Sequence, residues 1–339
     1  MGGRVASDGY GRFLLSTQRM RSSFQINGFS HKARQFWGVF KLTVQIGFIG
    51  LGAMGLPMAT TLVSKQFSVR GFDMRSEAVA SLVESGGKSA KSAAEAADGA
   101  EILVLMVVNT AQAQSVLFEA GALAATKPGA VVVLMATCAP SDVRDLAARI
   151  AGEGRFLVDA PVSGGINGAK TGTLTIMAAA AKPVFERCRP ILSAMGDKLF
   201  HVGEEAGQGA VVKTVNQLLC GVHIAVAAEG LAFAEKAGVD PRLAFEILSG
   251  SAAQSWMFNN RGPRMLEEEP LVSSAVDIFV KDLGIVSEAG RATKTPLPIA
   301  NAALQMFVAA SAEGLGTKDD SQVIAVYRKM AGLNDNQKG

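Results

Sequence analysis

Residues 44–58, VQIGFIGLGAMGLPM, combine an apolar segment, three closely spaced glycines and the start of a helical pattern. The apolar segment has the length of a buried strand, and the helical periodicity continues to about residue 65. In a strand, turn and helix of this kind, the first glycine allows the tight turn and the second lets the backbone approach a pyrophosphate. The third glycine lets the helix pack closely on the strand. The loop predicted to bind a dinucleotide consists of Gly50, Leu51, Gly52, Ala53, Met54 and Gly55.

An acidic residue follows at the distance that such a site requires. Asp73 ends the second apolar segment, FSVRGF, twenty-one residues after Gly52. There a carboxylate accepts hydrogen bonds from the ribose hydroxyls and repels the additional phosphate of NADP. Arg75 would favour that phosphate. The sequence therefore predicts NAD as the cofactor, with NADP less favoured, and the alternative is a glycine turn that is merely structural.

On the C-terminal side of this stretch, apolar segments alternate with helical patterns as far as KLFHVG at residues 198–203. The segments are EILVLMVV, AVVVLMA, RFLVDAP and TLTIMAA. Continuous apolar strands are typical of a parallel sheet that is buried on both faces. From residue 209 to about residue 237 the pattern is one long helix, apolar on most sides, and more helices follow. We expect a doubly wound α/β domain of the Rossmann type over residues 44–207, joined through the long helix to an all-α domain over residues 208–332.

Composition excludes several classes of protein. With 49% hydrophobic and 19% charged residues, and no uninterrupted apolar run of eighteen residues, we expect a soluble chain with no membrane partner. Residues 1–41 carry seven basic residues and one acidic residue, which leaves a net charge of −3 on the remainder. A nucleic-acid surface is therefore not supported. Cys138, Cys188 and Cys220 lack CxxC spacing, which argues against a metal site and against a disulfide framework.

The first 41 residues differ from the rest of the chain. They are rich in Arg and Ser, poor in acids and without clear periodicity, as in a mitochondrial transit peptide. The alternative is a disordered leader upstream of the true start. We expect a flexible or transit-like extension on a cytoplasmic protein, or a protein of the mitochondrial matrix if the extension is a transit peptide.

A second glycine cluster, DAPVSGG at residues 159–165, follows the predicted strand RFLVDAP. Ligands of open α/β sheets bind at the carboxyl ends of the strands. Ser163, Gly164 and Gly165 are therefore candidates to hold a substrate carboxylate through the hydroxyl and the backbone N–H groups. The alternative is an ordinary turn.

The long helix carries a polar face in otherwise apolar surroundings. Lys213, Asn216 and Gln217 lie three and four residues apart and therefore share one side of the helix. A lysine in this position either extends its ammonium group to solvent or takes part in chemistry.

Four stretches, in this order and spacing, resemble the signatures of the β-hydroxyacid dehydrogenases, the family of 3-hydroxyisobutyrate dehydrogenase. They are GFIGLGAMGLPMA, DAPVSGG, GQGAVVKTVNQLL and FVKDLG. The resemblance covers about residues 44–332 and implies the same two-domain fold, assembled into dimers or tetramers. It also implies oxidation of a small hydroxy acid by hydride transfer to a nicotinamide cofactor, with no metal required.

The resemblance also implies roles for individual residues. Lys213 matches the catalytic lysine, which exchanges the proton, and Asn216 matches a residue that orients the substrate. Ser163 and the two glycines after it match the turn that binds the substrate carboxylate. Lys281 matches a C-terminal lysine that reaches the cofactor. Desolvation on an apolar helix would lower the pKa of the lysine and so suit it to acid and base chemistry.

Two positions depart from the family pattern. Val108 and Asn109 lie where many relatives have a proline-containing loop over the cofactor. Thr137 matches a position beside the nicotinamide, but the serine that usually precedes it is Ala136 in this sequence.

Three stretches, VNQLLCGVHIA, SWMFNNR and SAVDIFVKDLG, resemble a subgroup that oxidises the C2 hydroxyl of a four-carbon sugar acid. Ser255, Asn259, Asn260 and Arg261 would suit a substrate with several hydroxyls. The alternatives are 3-hydroxyisobutyrate, reduction of glyoxylate or succinic semialdehyde, and a dinucleotide-binding module without catalysis.

Overall fold

The computed structural model describes residues 44–333, and the extension predicted over residues 1–41 lies outside them. The described chain has an α/β part followed by an all-helical part, which confirms the predicted fold class. The strands are Gln45–Ile49 (β1), Ser68–Phe72 (β2), Lys88–Ser89 (β3), Ile102–Leu105 (β4), Val131–Leu134 (β5), Phe156–Asp159 (β6), Val162–Ser163 (β7), Thr175–Ala179 (β8) and Lys198–Gly203 (β9).

Helices cover the sheet and form the second part. In the α/β part they are Gly55–Ser64 (α1), Ser76–Glu84 (α2), Ala93–Ala97 (α3), Thr110–Gln114 (α4), Ala122–Ala125 (α5), Pro140–Gly152 (α6), Gly165–Thr171 (α7) and Lys182–Met195 (α8). The helical part contains Gln208–Lys236 (α9), Pro241–Ser249 (α10), Trp256–Met265 (α11), Val276–Thr293 (α12), Pro298–Ala310 (α13) and Ile324–Met330 (α14). Two π-helical segments, Ser115–Glu119 and Ser311–Leu315, and a 3₁₀ turn, Asp320–Val323, complete the described helices.

The sheet has the order β3-β2-β1-β4-β5-β6-β8-β7, and β9 pairs with β8. The strands from β3 to β6 are parallel, in the usual Rossmann order. The prediction of a parallel sheet is wrong for β8, which runs antiparallel to both β6 and β7. Between β6 and β8 the described helix is the seven-residue α7, about 10 Å long. A helix this short does not carry the chain back along the sheet, so the next strand runs in the opposite direction.

The core of the α/β part lies on the two faces of this sheet. All four residues of β5 are fully buried, and Leu103 and Leu105 of β4 pack with Leu146 and Ile150 of α6. Burial on both faces explains why these strands are continuously apolar in the sequence.

Helix α9 passes from the sheet into the helical part. It spans 29 residues, about 44 Å, and contacts β6 and β8 at its start and α11, α12 and α13 further along. A Cβ atom on Gly209 would lie 2.7 Å from the backbone oxygen of Asp159, and one on Gly221 would lie 2.8 Å from the side chain of Leu283. Only glycine fits at Gly209, where the nearest atoms are backbone, whereas a side chain at Gly221 would require Leu283 to shift.

By length and composition, α9 would also be able to cross a membrane, although 44% of its most apolar window is buried within the fold. The core helices of soluble proteins have the same property, so this resemblance to a membrane span is weak evidence. Its buried residues Ile224 and Leu231 pack with Phe279 and Phe307 in the core of the helical part.

Candidate active site

The glycine loop between β1 and α1 has the shape that a dinucleotide needs. Gly50 has φ +93°, a backbone conformation that other residues rarely adopt. A Cβ atom on Gly55 would collide with the backbone of Gly50, so the third glycine is required where the helix meets the turn. A Cβ atom on Gly52 would project into space whose nearest atom, on Arg75, is 4.0 Å away. The front of the loop is therefore open at Gly52, where a pyrophosphate would approach the backbone.

Asp73 closes this loop from the end of β2. Its Oδ2 accepts a hydrogen bond from the backbone N–H of Leu51 at 2.7 Å, and its Oδ1 accepts from the backbone N–H of Arg75 at 2.9 Å. Burial alone would raise the pKa of Asp73, but hydrogen bonds from Arg75 and Leu51 outweigh it and lower that pKa overall. The guanidinium group of Arg75 lies alongside, 3.0 Å from the backbone oxygen of Leu51. The negative charge of Asp73 thus lies at the end of β2, beside the glycine loop, and the guanidinium group of Arg75 lies next to it.

The segment after β4 lies against the same loop. A Cβ atom on Gly50 would be 3.3 Å from the backbone nitrogen of Val107, which places Val108 and Asn109 close by. The side-chain oxygen of Asn109 accepts from the N–H of Gln112 at 2.9 Å and so caps α4. Asn109 stands where the resemblance implies a proline-containing loop, and its side chain caps a helix instead.

Lys213 is buried on α9, with 8% of its surface exposed. Within residues 44–333 it has no hydrogen bond and no ion pair. Its Nζ nevertheless keeps some accessible surface. Burial lowers the pKa of Lys213, and the negative charge of Asp282 opposes this shift. Lysine is rarely buried without a partner, so this side chain has a raised tendency to lose its proton.

A chain of contacts joins this helix to the sheet. Asn216 donates to Gln217 at 2.8 Å, and Gln217 donates to the buried carboxylate of Asp282 on α12. The Nζ of Lys281 lies 2.5 Å from the other oxygen of Asp282 and 3.3 Å from the backbone oxygen of Thr137, after β5. The structure therefore links Asn216, Lys281 and Thr137 through Gln217 and Asp282. Asp282 was missed by the sequence interpretation, although its position beside Lys281 in FVKDLG was a signal.

The second glycine cluster forms a turn between β7 and α7. Gly164 and Gly165 both have positive φ, 127° and 62°, which explains why two glycines follow Ser163. The hydroxyl of Ser163 is half-buried and has no hydrogen-bond partner within the described part of the chain.

The polar stretch before and within α11 divides into two groups. Ser255 caps the helix by accepting from the N–H of Phe258 at 3.0 Å, and Arg261 makes two 2.8 Å hydrogen bonds to Asp320. Both side chains are hydrogen-bonded within the fold. They are therefore not available to bind substrate hydroxyls, contrary to the prediction. The other two, Asn259 and Asn260, are exposed at an open surface cavity of about 470 Å³, which Gln254 and Trp256 also line. Asn259 donates to Gln254 at 3.1 Å and Asn260 accepts from Arg264 at 3.2 Å, so both amides also have partners within the fold.

No group of three or more His, Cys, Asp or Glu side chains among residues 44–333 is arranged to hold a metal ion.

Comparison with known proteins agrees with this geometry. Residues 45–203 match the family described as the NAD binding domain of 6-phosphogluconate dehydrogenase. Residues 207–327 match the family described as NAD-binding of NADP-dependent 3-hydroxyisobutyrate dehydrogenase. The fold and the site thus define an NAD-dependent oxidoreductase that acts on CH–OH groups.

Individual relatives are similar over most of their length. L-threonate dehydrogenase from Cupriavidus necator is 42% identical over 83% of this chain and 95% of that protein. 3-Hydroxyisobutyrate dehydrogenase from Pseudomonas aeruginosa is 35% identical over 84% and 98%. A crystal structure of 3-hydroxyisobutyrate dehydrogenase from Salmonella typhimurium has a TM-score of 0.79 and 39% identity, and covers 84% of this chain and 99% of that one. The chain belongs to the β-hydroxyacid dehydrogenase family, as its four motifs predicted.

Proposed function

We propose that this protein oxidises the C2 hydroxyl of L-threonate to give 2-dehydro-L-erythronate, with NAD as the hydride acceptor. The observation that carries the proposed chemistry is Lys213, a buried lysine without a partner on a face shared with Asn216. Support for the substrate comes from the L-threonate dehydrogenases among the relatives, which are up to 42% identical.

The chain must supply a base for this reaction. When bound, the nicotinamide cofactor takes the hydride from the carbinol carbon. The neutral Nζ of Lys213 removes the proton from the C2 hydroxyl, and in the reverse direction the ammonium group returns it to the carbonyl oxygen. Burial lowers the pKa of Lys213 from its ordinary value of 10.5, which increases the neutral fraction near physiological pH.

The remaining roles follow the predicted assignment. Ser163, Gly164 and Gly165 bind the substrate carboxylate, and Asn216 orients the substrate hydroxyl. On the cofactor side, the loop from Gly50 to Gly55 holds the pyrophosphate and Asp73 holds the ribose. Thr137 would lie beside the nicotinamide, Lys281 would reach the cofactor, and Val108 and Asn109 would belong to the loop over it. Support for this arrangement comes from the contact of Lys281 with the backbone of Thr137.

A second candidate substrate is 3-hydroxyisobutyrate, since relatives of that name also match this chain. Glyoxylate and succinic semialdehyde remain candidates for the reverse reaction. The relatives favour the sugar acid, since L-threonate dehydrogenases are 38–42% identical to this chain and 3-hydroxyisobutyrate dehydrogenase from Pseudomonas aeruginosa is 35% identical. A non-catalytic binding module is disfavoured by the presence of Lys213.

We also propose that the protein is a homodimer or homotetramer, because α9 has an exposed apolar stripe. Val211, Val215, Leu219, Val226 and Phe233 recur at intervals of four and seven residues and are 47–73% exposed. An apolar stripe about 33 Å long on one helix is typical of a contact with a second copy. On sequence grounds we place the protein in the cytoplasm, with the mitochondrial matrix as the alternative.

The proposal is tested by following NADH formation from L-threonate and from 3-hydroxyisobutyrate between about pH 7 and pH 10. We expect a higher kcat/KM for L-threonate, by up to about 10⁴-fold. Lys213→Met should lower kcat by about 100-fold or more while NAD affinity is retained. The matched control is Lys236→Met, on an exposed turn of the same helix, which should leave kcat unchanged.

Two results would contradict the proposal in different ways. Undiminished kcat in Lys213→Met would show that another group moves the proton. Equal or faster turnover of 3-hydroxyisobutyrate would overturn the substrate and leave the dehydrogenase chemistry in place.

A further inference from the structure

Asp159, the last residue of β6, is a buried carboxylate to which the proposed mechanism gives no role. It is 1% exposed. Its Oδ2 accepts hydrogen bonds from the backbone N–H groups of Gly207 at 3.0 Å and Ala210 at 2.8 Å. These two N–H groups belong to the first turn of α9, which lies almost fifty residues further along the chain.

No side-chain cation neutralises this carboxylate within the described chain. Backbone N–H groups of Gly207, Gly209 and Ala210 are its partners, and they lower its pKa against a larger upward shift caused by burial. The neighbouring titratable group is the thiol of Cys138, which is itself buried and whose pKa is raised to about 11. The charge is therefore held by the helix terminus alone, so its energy depends on the position of that terminus.

The position of Asp159 in the chain connects two parts of the site. Ser163, at the start of the carboxylate-binding turn, follows it by four residues and ends β7, the short strand that comes next after β6. Lys213 follows Ala210 by three residues, less than one turn of α9. The space around Gly209 is too small for a side chain, so the first turn of the helix is pressed directly against the strand end.

We propose that Asp159 is a positioning residue that ties the start of the lysine helix to the strand leading into the Ser163 turn. In this arrangement the base and the substrate carboxylate keep a fixed separation while the substrate reacts. This inference rests on the proposed function, since it assumes that Lys213 moves the proton.

The environment of Lys213 provides a readout for its position. The charged and titratable groups that act on it are Asp282 and Lys281 of α12 and Cys220 of α9. Burial is the largest influence and keeps the pKa of Lys213 low. A displacement of the first turn that admits water would therefore raise this pKa and move the alkaline rise of kcat to higher pH.

The experiment compares Asp159→Ala and Asp159→Asn with the wild-type enzyme. Asp159→Ala leaves both N–H groups unpaired and should lower kcat by about 10- to 100-fold, because small displacements of reacting groups are costly. It should also move the alkaline rise of kcat upward by at least about 0.5 pH unit. Asp159→Asn keeps an acceptor oxygen and should remain within about threefold of wild type, with no shift of the profile.

Asp240→Ala is the matched control, since Asp240 caps α10 through the N–H of Arg242 at 2.8 Å and is remote from Lys213 in sequence. It should lower the melting temperature without moving the pH profile. NAD affinity, measured by calorimetry, should stay within about threefold of wild type in every variant, because the glycine loop lies elsewhere. If Asp159→Ala does not fold, Asp159→Ser takes its place in the same comparison.

The outcomes separate this inference from the proposed function. An unchanged pH profile in Asp159→Ala, beside an inactive Lys213→Met, would overturn the positioning role alone. An equal loss in Asp159→Asn would also overturn it, since the acceptor oxygen is still present. Full activity of Lys213→Met would overturn the proposed function itself.

Discussion

Asp73 and Arg75 place opposite charges side by side where the adenosine ribose is expected. The carboxylate is held by the N–H of Leu51, so it cannot turn away from a cofactor that carries an additional phosphate. Arg75 is 3.2 Å from the same carboxylate, so part of its charge is already neutralised. We therefore expect Asp73 to influence the choice between NAD and NADP more than Arg75 does.

Asp73→Ala should narrow the preference for NAD over NADP by about tenfold or more, because the repulsion of the phosphate is removed while Arg75 remains. The measurement is the ratio of the two kcat/KM values. Asp98→Ala, which removes an exposed carboxylate paired with Arg70 at 3.8 Å, is the control and should leave the ratio unchanged. A wild-type enzyme that prefers NADP would show that Arg75 outweighs Asp73.

Asp159 should also make stability depend on pH. Burial raises the pKa of Asp159 from 3.8 to about 6, so the folded state binds this proton more tightly than the unfolded state does. The resulting stabilisation is fully present below about pH 4 and is lost as the pH rises through about 6. Asp159→Asn cannot lose a proton here, so its stability relative to wild type should increase by up to about 3 kcal/mol between pH 4 and pH 7. Urea unfolding at several pH values measures the difference, and parallel curves for the two proteins would contradict it.

Local spacing made some of these residues predictable and left others hidden. The glycines of the loop, Asp73 and the face formed by Lys213 and Asn216 follow from short-range patterns in the sequence. The contact of Gln217 with Asp282 spans 65 residues, and that of Asp159 with Ala210 spans 51 residues. Such pairs depend on how helices pack, which local periodicity does not encode.

At the scale of elements, the exposed stripe of α9 is the feature with the clearest consequence. Val226 and Phe233 lie two turns apart, 56% and 73% exposed, and are well separated along the helix from Lys213. If the proposed dimer or tetramer forms through this stripe, the double variant Val226→Asp, Phe233→Asp should be a monomer, because charges would be buried in an apolar contact. Light scattering after size-exclusion chromatography gives the mass.

Val308→Asp is the control for this prediction, since Val308 is a 39% exposed apolar residue on another helix, α13. It should leave the mass unchanged. A wild-type protein that is already monomeric at micromolar concentration would refute the assembly.

Elements with strong periodicity were predicted well, whereas short elements and strand direction were not. The long helix, predicted over residues 209 to about 237, spans Gln208–Lys236 in the structure. The two-residue strands β3 and β7 have too few side chains to show alternation. The direction of β8 depends on how the chain returns after β6, which the apolar pattern of the strand does not record.

At the scale of the whole molecule, Lys281 links the helical part to the sheet. Its Nζ contacts the backbone oxygen of Thr137 and the carboxylate of Asp282. Lys281→Met should loosen the contact between the helical part and the sheet and weaken NAD binding by about tenfold, the usual cost of one charge-assisted hydrogen bond. Small-angle scattering should show a larger radius of gyration, and calorimetry should show the weaker affinity.

Lys329→Met tests whether any lost lysine contact has this effect. Lys329 pairs with Glu313 at 2.9 Å within the helical part, and its removal should change neither the scattering nor the affinity. Unaltered NAD affinity in Lys281→Met would separate Lys281 from the cofactor site.

Because α9 is uninterrupted, it limits which insertions and deletions the sequence of this protein can tolerate. Gly209 faces the sheet and Gly221 faces Leu283, and the polar face with Lys213 lies between these two fixed points. Inserting or deleting one residue between the glycines would rotate everything beyond it by about 100° and shift it by 1.5 Å. A residue with a side chain would then replace the glycine at one of the two close contacts, with the sheet or with Leu283. We therefore expect substitutions to be tolerated within this segment, and changes of length only in loops such as residues 250–255, where the chain has no helical phase to preserve.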